Sequence, residues 1–145
     1  MQREYMDNEI ADKEILYRGV RRSIPDSFVD GVPMPSLFID PRGASFSRDG
    51  ERQEIEIVEA LSSKILKDYK PDMIGCVRIS AANCRTAETL PVSRPTKTDP
   101  YHAEVYDSEK EKQLSLKKAM LLCDLCQVVE IEDRKDDQDD PILQT

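Results

Sequence analysis

Two proline-rich segments limit what this chain can fold into. Residues 23–43 contain four prolines and two glycines, and residues 90–100 contain three prolines. Proline fixes the backbone φ angle and has no N–H to donate, so it disfavours a long helix or a central strand in either segment. We therefore predict two long loops, with the regular structure placed between and beside them. Loops of such length on a compact scaffold tend to carry function.

The remaining segments show strand and helix patterns. Short runs rich in β-branched and aromatic residues predict four strands, at residues 14–20, 44–47, 73–80 and 101–106. Apolar residues at helical spacing predict a helix over residues 51–69, with Asp49 as its N-cap. A second helix is predicted to begin at Ser108, which matches a capping box with Glu111. Residues 127–131 form either a last strand or a frayed end. The predicted fold class is α+β: a single small domain with a mixed or antiparallel sheet of about four strands, two main helices and long Pro-rich loops.

Acidic residues are concentrated near the C-terminus. Residues 130–140 contain seven acids and two basic residues, so they account for −5 of the formal net charge of −8. The charge of the remaining chain excludes no class of partner. We predict a flexible N-terminus at residues 1–13, one folded domain at 14–129 and a disordered acidic tail at 130–145. A chain of this length buries enough surface to fold without a metal ion or a disulfide.

Export and membrane signals are absent from the sequence. No run approaches the roughly 18 apolar residues of a membrane helix, and the first residues lack the character of a signal or transit peptide. We therefore expect a cytoplasmic protein that does not contact a membrane. Because the cytoplasm keeps thiols reduced, the cysteines are predicted to be free and buried, and no metal site is predicted. They are Cys76, Cys84, Cys123 and Cys126, of which the last two have zinc-ligand spacing within an apolar stretch.

Several functional motifs are missing from the chain. There is no phosphate-binding P-loop, no dinucleotide-binding G-x-G-x-x-G, no H-E-x-x-H zinc motif and no G-x-S-x-G elbow. Basic residues occur in the loops, but few aromatic residues accompany them, so nucleic-acid binding is a minor alternative. Function is therefore expected to depend on individual polar residues within the strands.

Polar side chains alternate along two of the predicted strands. His102, the only histidine, and Glu104 are two residues apart and share one strand face, so they form a candidate acid–base pair. The alternative is an ordinary exposed polar face. Ser45 and Ser47 alternate with Phe46 in the same way. These serines either position a ligand or serve only in strand pairing.

Arg18 lies within an otherwise apolar strand. Its planar guanidinium can bind a carboxylate or a phosphate through two parallel hydrogen bonds, and Arg48 and Arg94 are candidates to join it in a ligand-binding anion site. The alternative is a salt bridge from Arg18 to Glu104 or Asp40.

Three short sequence blocks carry a resemblance to a known family. They are Leu-Tyr-Arg at residues 16–18, Pro-Ser-Leu-Phe at 35–38 with Gly-Ala-Ser-Phe-Ser-Arg-Asp at 43–49, and Pro-Tyr-His-Ala-Glu-Val at 100–105. With the predicted strand at 75–81 between the last two, the chain resembles a family of small uncharacterised bacterial proteins over residues 14–129. The resemblance implies a shared architecture and no particular activity.

A second resemblance concerns chemistry. An arginine on the first strand, a serine on the next and a glutamate on a later strand are similar to the R-S-E arrangement of ADP-ribosyltransferase-like folds. The resemblance implies that Arg18 grips a phosphate or ribose of the cofactor NAD. It also implies that Ser45 or Ser47 holds the nicotinamide ribose and that Glu104 stabilises or activates it.

Two hypotheses for function result. The first is a non-catalytic binding or accessory module of a bacterial multi-protein system, of defence or toxin type, which contacts a protein partner through its loops. The second is an NAD-using enzyme of ADP-ribosyltransferase type, with Arg18, Ser47, His102 and Glu104 as its catalytic candidates. The second hypothesis requires that Arg18, Ser47 and Glu104 converge on one cleft.

Overall fold

The structure, a computed structural model, describes residues 8–131. Most of the predicted flexible N-terminus and acidic tail, namely residues 1–7 and 132–145, lie outside the described residues. The strands are β1 (Ile15–Arg21), β2 (Phe28–Val29), β3 (Val32–Pro33), β4 (Ala44–Arg48), β5 (Leu66–Lys67), β6 (Lys70–Pro71), β7 (Met73–Ser80), β8 (Leu90–Ser93), β9 (His102–Tyr106) and β10 (Gln127–Val128). The helices are α1 (Glu54–Lys64), α2 (Ala81–Thr86) and α3 (Leu116–Leu125), and a 3-10 turn spans Pro35–Leu37. None of these described helices is long and apolar enough to cross a lipid bilayer.

Six of the strands form one antiparallel sheet in the order β10-β7-β1-β4-β9-β8, while β2-β3 and β5-β6 form two small hairpins. The α+β class is therefore confirmed, but the sheet has six strands rather than about four. The two additional strands, β8 and β10, are its edges. The prediction of a loop at residues 90–93 is wrong, because these residues form the edge strand β8. One side of an edge strand has no partner strand, so the missing N–H of Pro91 is tolerated there.

Helix α1 is shorter than predicted. Its N-cap is Gln53, which forms a capping box with Glu56. Asp49, the predicted N-cap, instead accepts hydrogen bonds from the backbone N–H groups of Glu51 and Ile15, at 3.2 Å and 3.3 Å. The β5–β6 hairpin occupies the last part of the predicted helix.

Helix α3 starts later than predicted. Ser108 accepts hydrogen bonds from the backbone N–H groups of Lys110 and Glu111, but it closes only an isolated turn. The N-cap of α3 is Ser115, whose hydroxyl accepts from the backbone N–H of Lys118. A serine hydroxyl that accepts from the N–H three residues later therefore occurs twice, at Ser108 and Ser115, and a helix follows only the second.

Alternation along the central strands sends side chains to two faces of the sheet. One face, here called the core face, packs against α2, α3 and the 3-10 turn through a cluster that includes Leu16, Val20, Phe46, Val77 and Val105. The opposite face, here called the α1 face, packs against helix α1 through Tyr17 and Cys76. On β4 and β9 the α1 face carries polar side chains instead, and these border the site described below.

Strand β1 separates from β4 soon after their pairing begins. β1 pairs with β7 from Ile15 to Arg21, whereas its pairing with β4 is limited to Leu16 opposite Arg48 and Tyr17 opposite Ser47. Beyond these two pairs a cleft opens between the strands. Buried backbone groups need partners, so the unpaired edges along this gap require hydrogen bonds from elsewhere.

Gly43 holds the turn before β4 in a conformation that favours glycine. Its φ is +95°, and a Cβ atom there would lie 2.6 Å from the ring of Tyr106. Gly31 offers a matched comparison, because its φ is +77° but no heavy atom lies within 4 Å of the same Cβ position. Both glycines have a positive φ, and only Gly43 also has a ring in the place of a Cβ atom.

Gly43→Ala is expected to lower the free energy of unfolding by about 2–4 kcal/mol, because it adds overpacking against Tyr106 to backbone strain. Gly31→Ala is expected to lower it by about 1 kcal/mol through strain alone. Urea unfolding of both variants measures the difference. Equal losses would contradict the close contact between Gly43 and Tyr106.

Candidate functional site

A cleft of about 320 Å³ opens where β1 and β4 diverge. Its volume is in the range of small-molecule sites. Because the two strands have separated, side chains from both faces of the sheet reach it. Its polar lining comprises Arg18, Arg21, Asp40, Arg42, Ser45, Ser47, Lys64, Asp99 and His102, and its apolar lining includes Leu37, Phe46, Leu61 and Ile65.

Arg18 lies at the point where the two strands separate. Its Nε donates to the backbone carbonyl of Leu37 and its Nη1 to that of Ser45, both at 2.8 Å. The guanidinium carbon lies 5.9 Å from the centre of the Phe46 ring. Burial lowers the pKa of Arg18 to about 10, against a smaller opposing effect of Asp40. Arg18 is therefore still charged at neutral pH.

The positive charge of Arg18 is not neutralised by a carboxylate. Among the described residues none lies within 4.0 Å of its guanidinium, so the alternative salt bridge to Glu104 or Asp40 is not formed. Two of the five N–H groups of a guanidinium are used, by the bonds to backbone carbonyls. The other N–H groups of Arg18 are left for a ligand, and a partly desolvated cation with unused donors suits an anion.

Ser47 is an oriented hydroxyl in the lining of the cleft. It is only 6% exposed, and its oxygen accepts a hydrogen bond from Nη2 of Arg52 at 2.9 Å. Arg52 in turn stacks on Tyr101, 3.7 Å from the ring centre. Because the oxygen of Ser47 is already engaged as an acceptor, its proton is left to donate to a ligand. Ser45 lies on the same sheet face and is exposed.

A chain of hydrogen bonds runs along β9. His102, which lies opposite Ser47 on β4, has its Nε2 atom 3.2 Å from Oε2 of Glu104. The Tyr106 hydroxyl donates to Oε1 of Glu104 at 2.7 Å, and Nε of Arg94 donates to the Tyr106 oxygen at 3.1 Å. Burial and the hydrogen bond to Glu104 raise the pKa of Tyr106, so the phenol keeps its proton at neutral pH.

The cleft is positive although the protein is acidic. Four basic side chains line it against two acidic ones, whereas the formal net charge of the whole chain is −8. Asp99 is paired with Lys64, and Asp40 lies 3.9 Å from the exposed Arg42. Arg21 is paired with Asp72, which lies outside the lining, at 3.5 Å, so the uncompensated positive charge of the cleft is that of Arg18. Excess positive charge in a concave site raises the local concentration of anions.

The cleft brings together several residues singled out in the sequence. Arg18, Ser45, Ser47 and His102 all line it. Glu104 does not line the cleft but lies beside it, at hydrogen-bond distance from His102. Arg18 and Ser47 therefore converge on the cleft, but Glu104 does not line it, so the convergence that the second hypothesis requires is met for two of the three residues.

The two other candidate arginines lie elsewhere. Arg48 is 2% exposed, and its Nε and Nη2 donate to the two carboxylate oxygens of Glu14 at 2.6 Å and 2.8 Å. A third bond, 3.0 Å long, joins its Nη1 to the hydroxyl of Ser93. Arg94 is exposed and binds the hydroxyl of Tyr106 outside the lining of the cleft. In these positions Arg48 links β4 to the segment before β1, and Arg94 holds Tyr106.

Three further basic residues of the cleft were not assigned to an anion site from the sequence. Arg21, Arg42 and Lys64 come from the end of β1, the loop before β4 and the last turn of α1. No local pattern identifies Lys64, because its position depends on how α1 packs over the sheet. Of the three, only Arg21 has a sequence signal for the anion site, because it lies close to the candidate Arg18 on the same strand.

All four cysteines are free thiols and lie outside the lining of the cleft. Cys76 and Cys84 are buried, and burial raises the pKa of each thiol to about 12, which makes both unreactive at neutral pH. Within residues 8–131 no group of three or more His, Cys, Asp or Glu side chains is arranged to hold a metal ion. The buried thiols serve as packing groups.

No protein-family model, curated protein sequence or solved structure matches this chain. Its function is therefore inferred from the geometry and charge of the cleft.

Arg48→Met is expected to lower the free energy of unfolding by about 3 kcal/mol, because it leaves the Glu14 carboxylate partly buried without its partner. Arg94→Met removes an exposed arginine and is expected to leave the unfolding midpoint almost unchanged. Chemical denaturation of the two variants makes the comparison. Similar midpoints for both would contradict the structural role of the Arg48–Glu14 pair.

Proposed function

We propose that this protein binds NAD in the cleft between β1 and β4 and cleaves it as an enzyme of ADP-ribosyltransferase type. The observation that supports this most is the state of Arg18. It is charged, partly withdrawn from water and without a carboxylate partner among the described residues, in the same cleft as Ser47 and His102. Removing a cation from water without neutralising it is unfavourable, and a bound anion offsets that penalty.

Arg18 binds the diphosphate of NAD in this proposal. The donors that it does not use for backbone carbonyls match the oxygen atoms of a phosphate, which a planar guanidinium grips with parallel bonds. Arg42, whose side chain is 91% exposed at the rim, adds positive charge that increases the rate of encounter with an anion.

The ribose next to the nicotinamide lies between Ser47 and His102. The bond that breaks joins the ribose C1′ atom to the nicotinamide nitrogen. Its electron pair leaves with the nicotinamide, which becomes neutral, while positive charge develops on the ribose. The carboxylate of Glu104, held by Tyr106, supplies compensating negative charge near this position.

Arg18→Lys is expected to weaken NAD binding by at least about tenfold, because lysine keeps the charge but not the fork of donors. Arg42→Gln is expected to weaken binding by about two- to fivefold at low salt, with the difference disappearing at high salt. Isothermal titration calorimetry with NAD measures both effects, and unfolding curves establish that each variant is folded.

Lys117→Gln is the control for charge, because Lys117 is exposed on α3 and does not line the cleft. It is expected to bind NAD as the wild type does. Wild-type affinity in folded Arg18→Lys would contradict the assignment of Arg18. An equal loss in Lys117→Gln and Arg42→Gln would show that overall charge, and not the cleft, controls binding.

A second candidate function is supported by the first proline-rich loop. It exposes four large apolar side chains, between 36% and 53% accessible: Ile24, Val29, Val32 and Met34. Exposed apolar side chains concentrated in one segment, here within residues 24–34, are typical of a protein-binding surface. In this role the chain is an accessory module of a bacterial multi-protein system, of defence or toxin type, that contacts its partner through the β2–β3 hairpin.

Val32→Asp is expected to abolish capture of a stoichiometric protein partner from a bacterial extract, because a carboxylate in an apolar interface loses its hydration. Leu116→Asp is the matched control, since Leu116 is 60% exposed on α3 and lies outside the hairpin. Affinity capture with quantitative mass spectrometry compares them. Capture of the same partner by Val32→Asp, or of none by the wild type, would contradict this candidate.

A further inference from the structure

We propose that His102 is the base that removes a proton from the attacking nucleophile in this cleft, and that Glu104 and Tyr106 are positioning residues that fix its tautomer. The inference rests on the proposed function for its substrate, NAD. It goes further by naming the atom that takes the proton and the kind of nucleophile. His102 lines the cleft, whereas Glu104 and Tyr106 do not.

The hydrogen bonds along β9 determine where each proton lies. Arg94 can only donate, so the Tyr106 oxygen accepts from it and directs its own proton to Oε1 of Glu104. A carboxylate offers acceptors only, so Nε2 of His102, 3.2 Å from Oε2 of Glu104, carries the ring proton. Nδ1 of His102 is then the unprotonated nitrogen, and it has no hydrogen-bond partner among the described residues.

Tyr106 is held rigidly enough to fix this arrangement. It is 6% exposed, and the side chains of Arg94 and Lys112 lie 6.0 Å and 5.6 Å from its ring centre. Gly43 packs so closely against the ring that a Cβ atom would overlap it. The Tyr106 ring is therefore confined to a position in which its hydroxyl donates to Glu104.

Glu104 itself is poorly placed to act as the base. One of its carboxylate oxygens accepts from Tyr106 and the other faces His102. It would have to break one of these contacts to reach a nucleophile, whereas Nδ1 of His102 has no hydrogen bond to another described residue to break.

An unprotonated imidazole nitrogen suits a nucleophile that must lose a proton. Water attacks the ribose C1′ atom while the bond to nicotinamide breaks, and the electron pair of that bond stays on the nicotinamide nitrogen. The proton released by the attacking oxygen passes to Nδ1 of His102 and from there to solvent. The products are ADP-ribose, nicotinamide and one proton.

The first test reads the tautomer in the ligand-free protein. His102 is the only histidine, so its imidazole ¹⁵N signals need no assignment. At alkaline pH, where a histidine ring is neutral, the wild type is expected to show the Nε2–H tautomer. In Glu104→Gln, Tyr106 still donates to the amide oxygen, so the amide nitrogen faces Nε2 and the ring proton is expected to move to Nδ1. An Nδ1–H wild type, or an unchanged tautomer in Glu104→Gln, overturns the relay.

The second test measures NAD cleavage. His102→Gln is expected to lower kcat by at least about 100-fold, with KM changing by less than about threefold, because proton transfer and not binding is lost. Glu104→Gln is expected to lower kcat as well, because it loses both the tautomer of His102 and the carboxylate charge near the ribose. Lys117→Gln is expected to cleave NAD at the wild-type rate. Release of nicotinamide without equal formation of ADP-ribose would show that the nucleophile is not water.

The outcomes separate this inference from the proposed function. Near wild-type kcat in His102→Gln overturns the role of His102 and leaves NAD binding intact. A wild type that binds no NAD overturns the proposed function, while the tautomer measurement, made without NAD, still decides the relay.

Discussion

Strand β1 pairs along its length with β7 but at only two positions with β4, and the cleft exists because of that separation. Where the ladder between β1 and β4 stops, Arg18 replaces it by donating to the backbone carbonyls of Leu37 and Ser45. Hydrogen bonds from a charged donor contribute about 1.5–3 kcal/mol each, so these two bonds stabilise the open arrangement. The same guanidinium keeps further donors and an uncompensated charge, and these are the features that favour an anionic ligand in the cleft.

Two arginines of this sheet have opposite roles because their surroundings differ. Arg48 donates to both carboxylate oxygens of Glu14, which neutralises it and ties β4 to the segment before β1. Among the described residues Arg18 has only neutral carbonyl oxygens as hydrogen-bond partners, and its pKa falls to about 10 through burial. A paired buried arginine maintains the fold, whereas an unpaired one in a cleft gains from a ligand.

The strands that carry the site are predictable from the sequence because their alternation is local, and Arg18, Ser47 and His102 are recognisable as polar residues within them. The cleft is not predictable, because it depends on where β1 leaves β4. Its charge also depends on Lys64 and Asp99, which pair across 35 residues of sequence. Edge strand β8 contains Pro91, which predicts a loop, and α3 begins at Leu116 and not at the capping box of Ser108. The pairing partner of Arg48 is likewise a tertiary property.

Titration of the ¹⁵N-labelled protein with NAD, followed by NMR, tests most directly whether this cleft is the ligand site. NAD bound there is expected to shift the signals of residues 18–21 and 45–47 and of the His102 ring, with saturation at a single affinity. Changes concentrated on α3, changes spread evenly over the surface, or no change at millimolar NAD would contradict binding at the cleft.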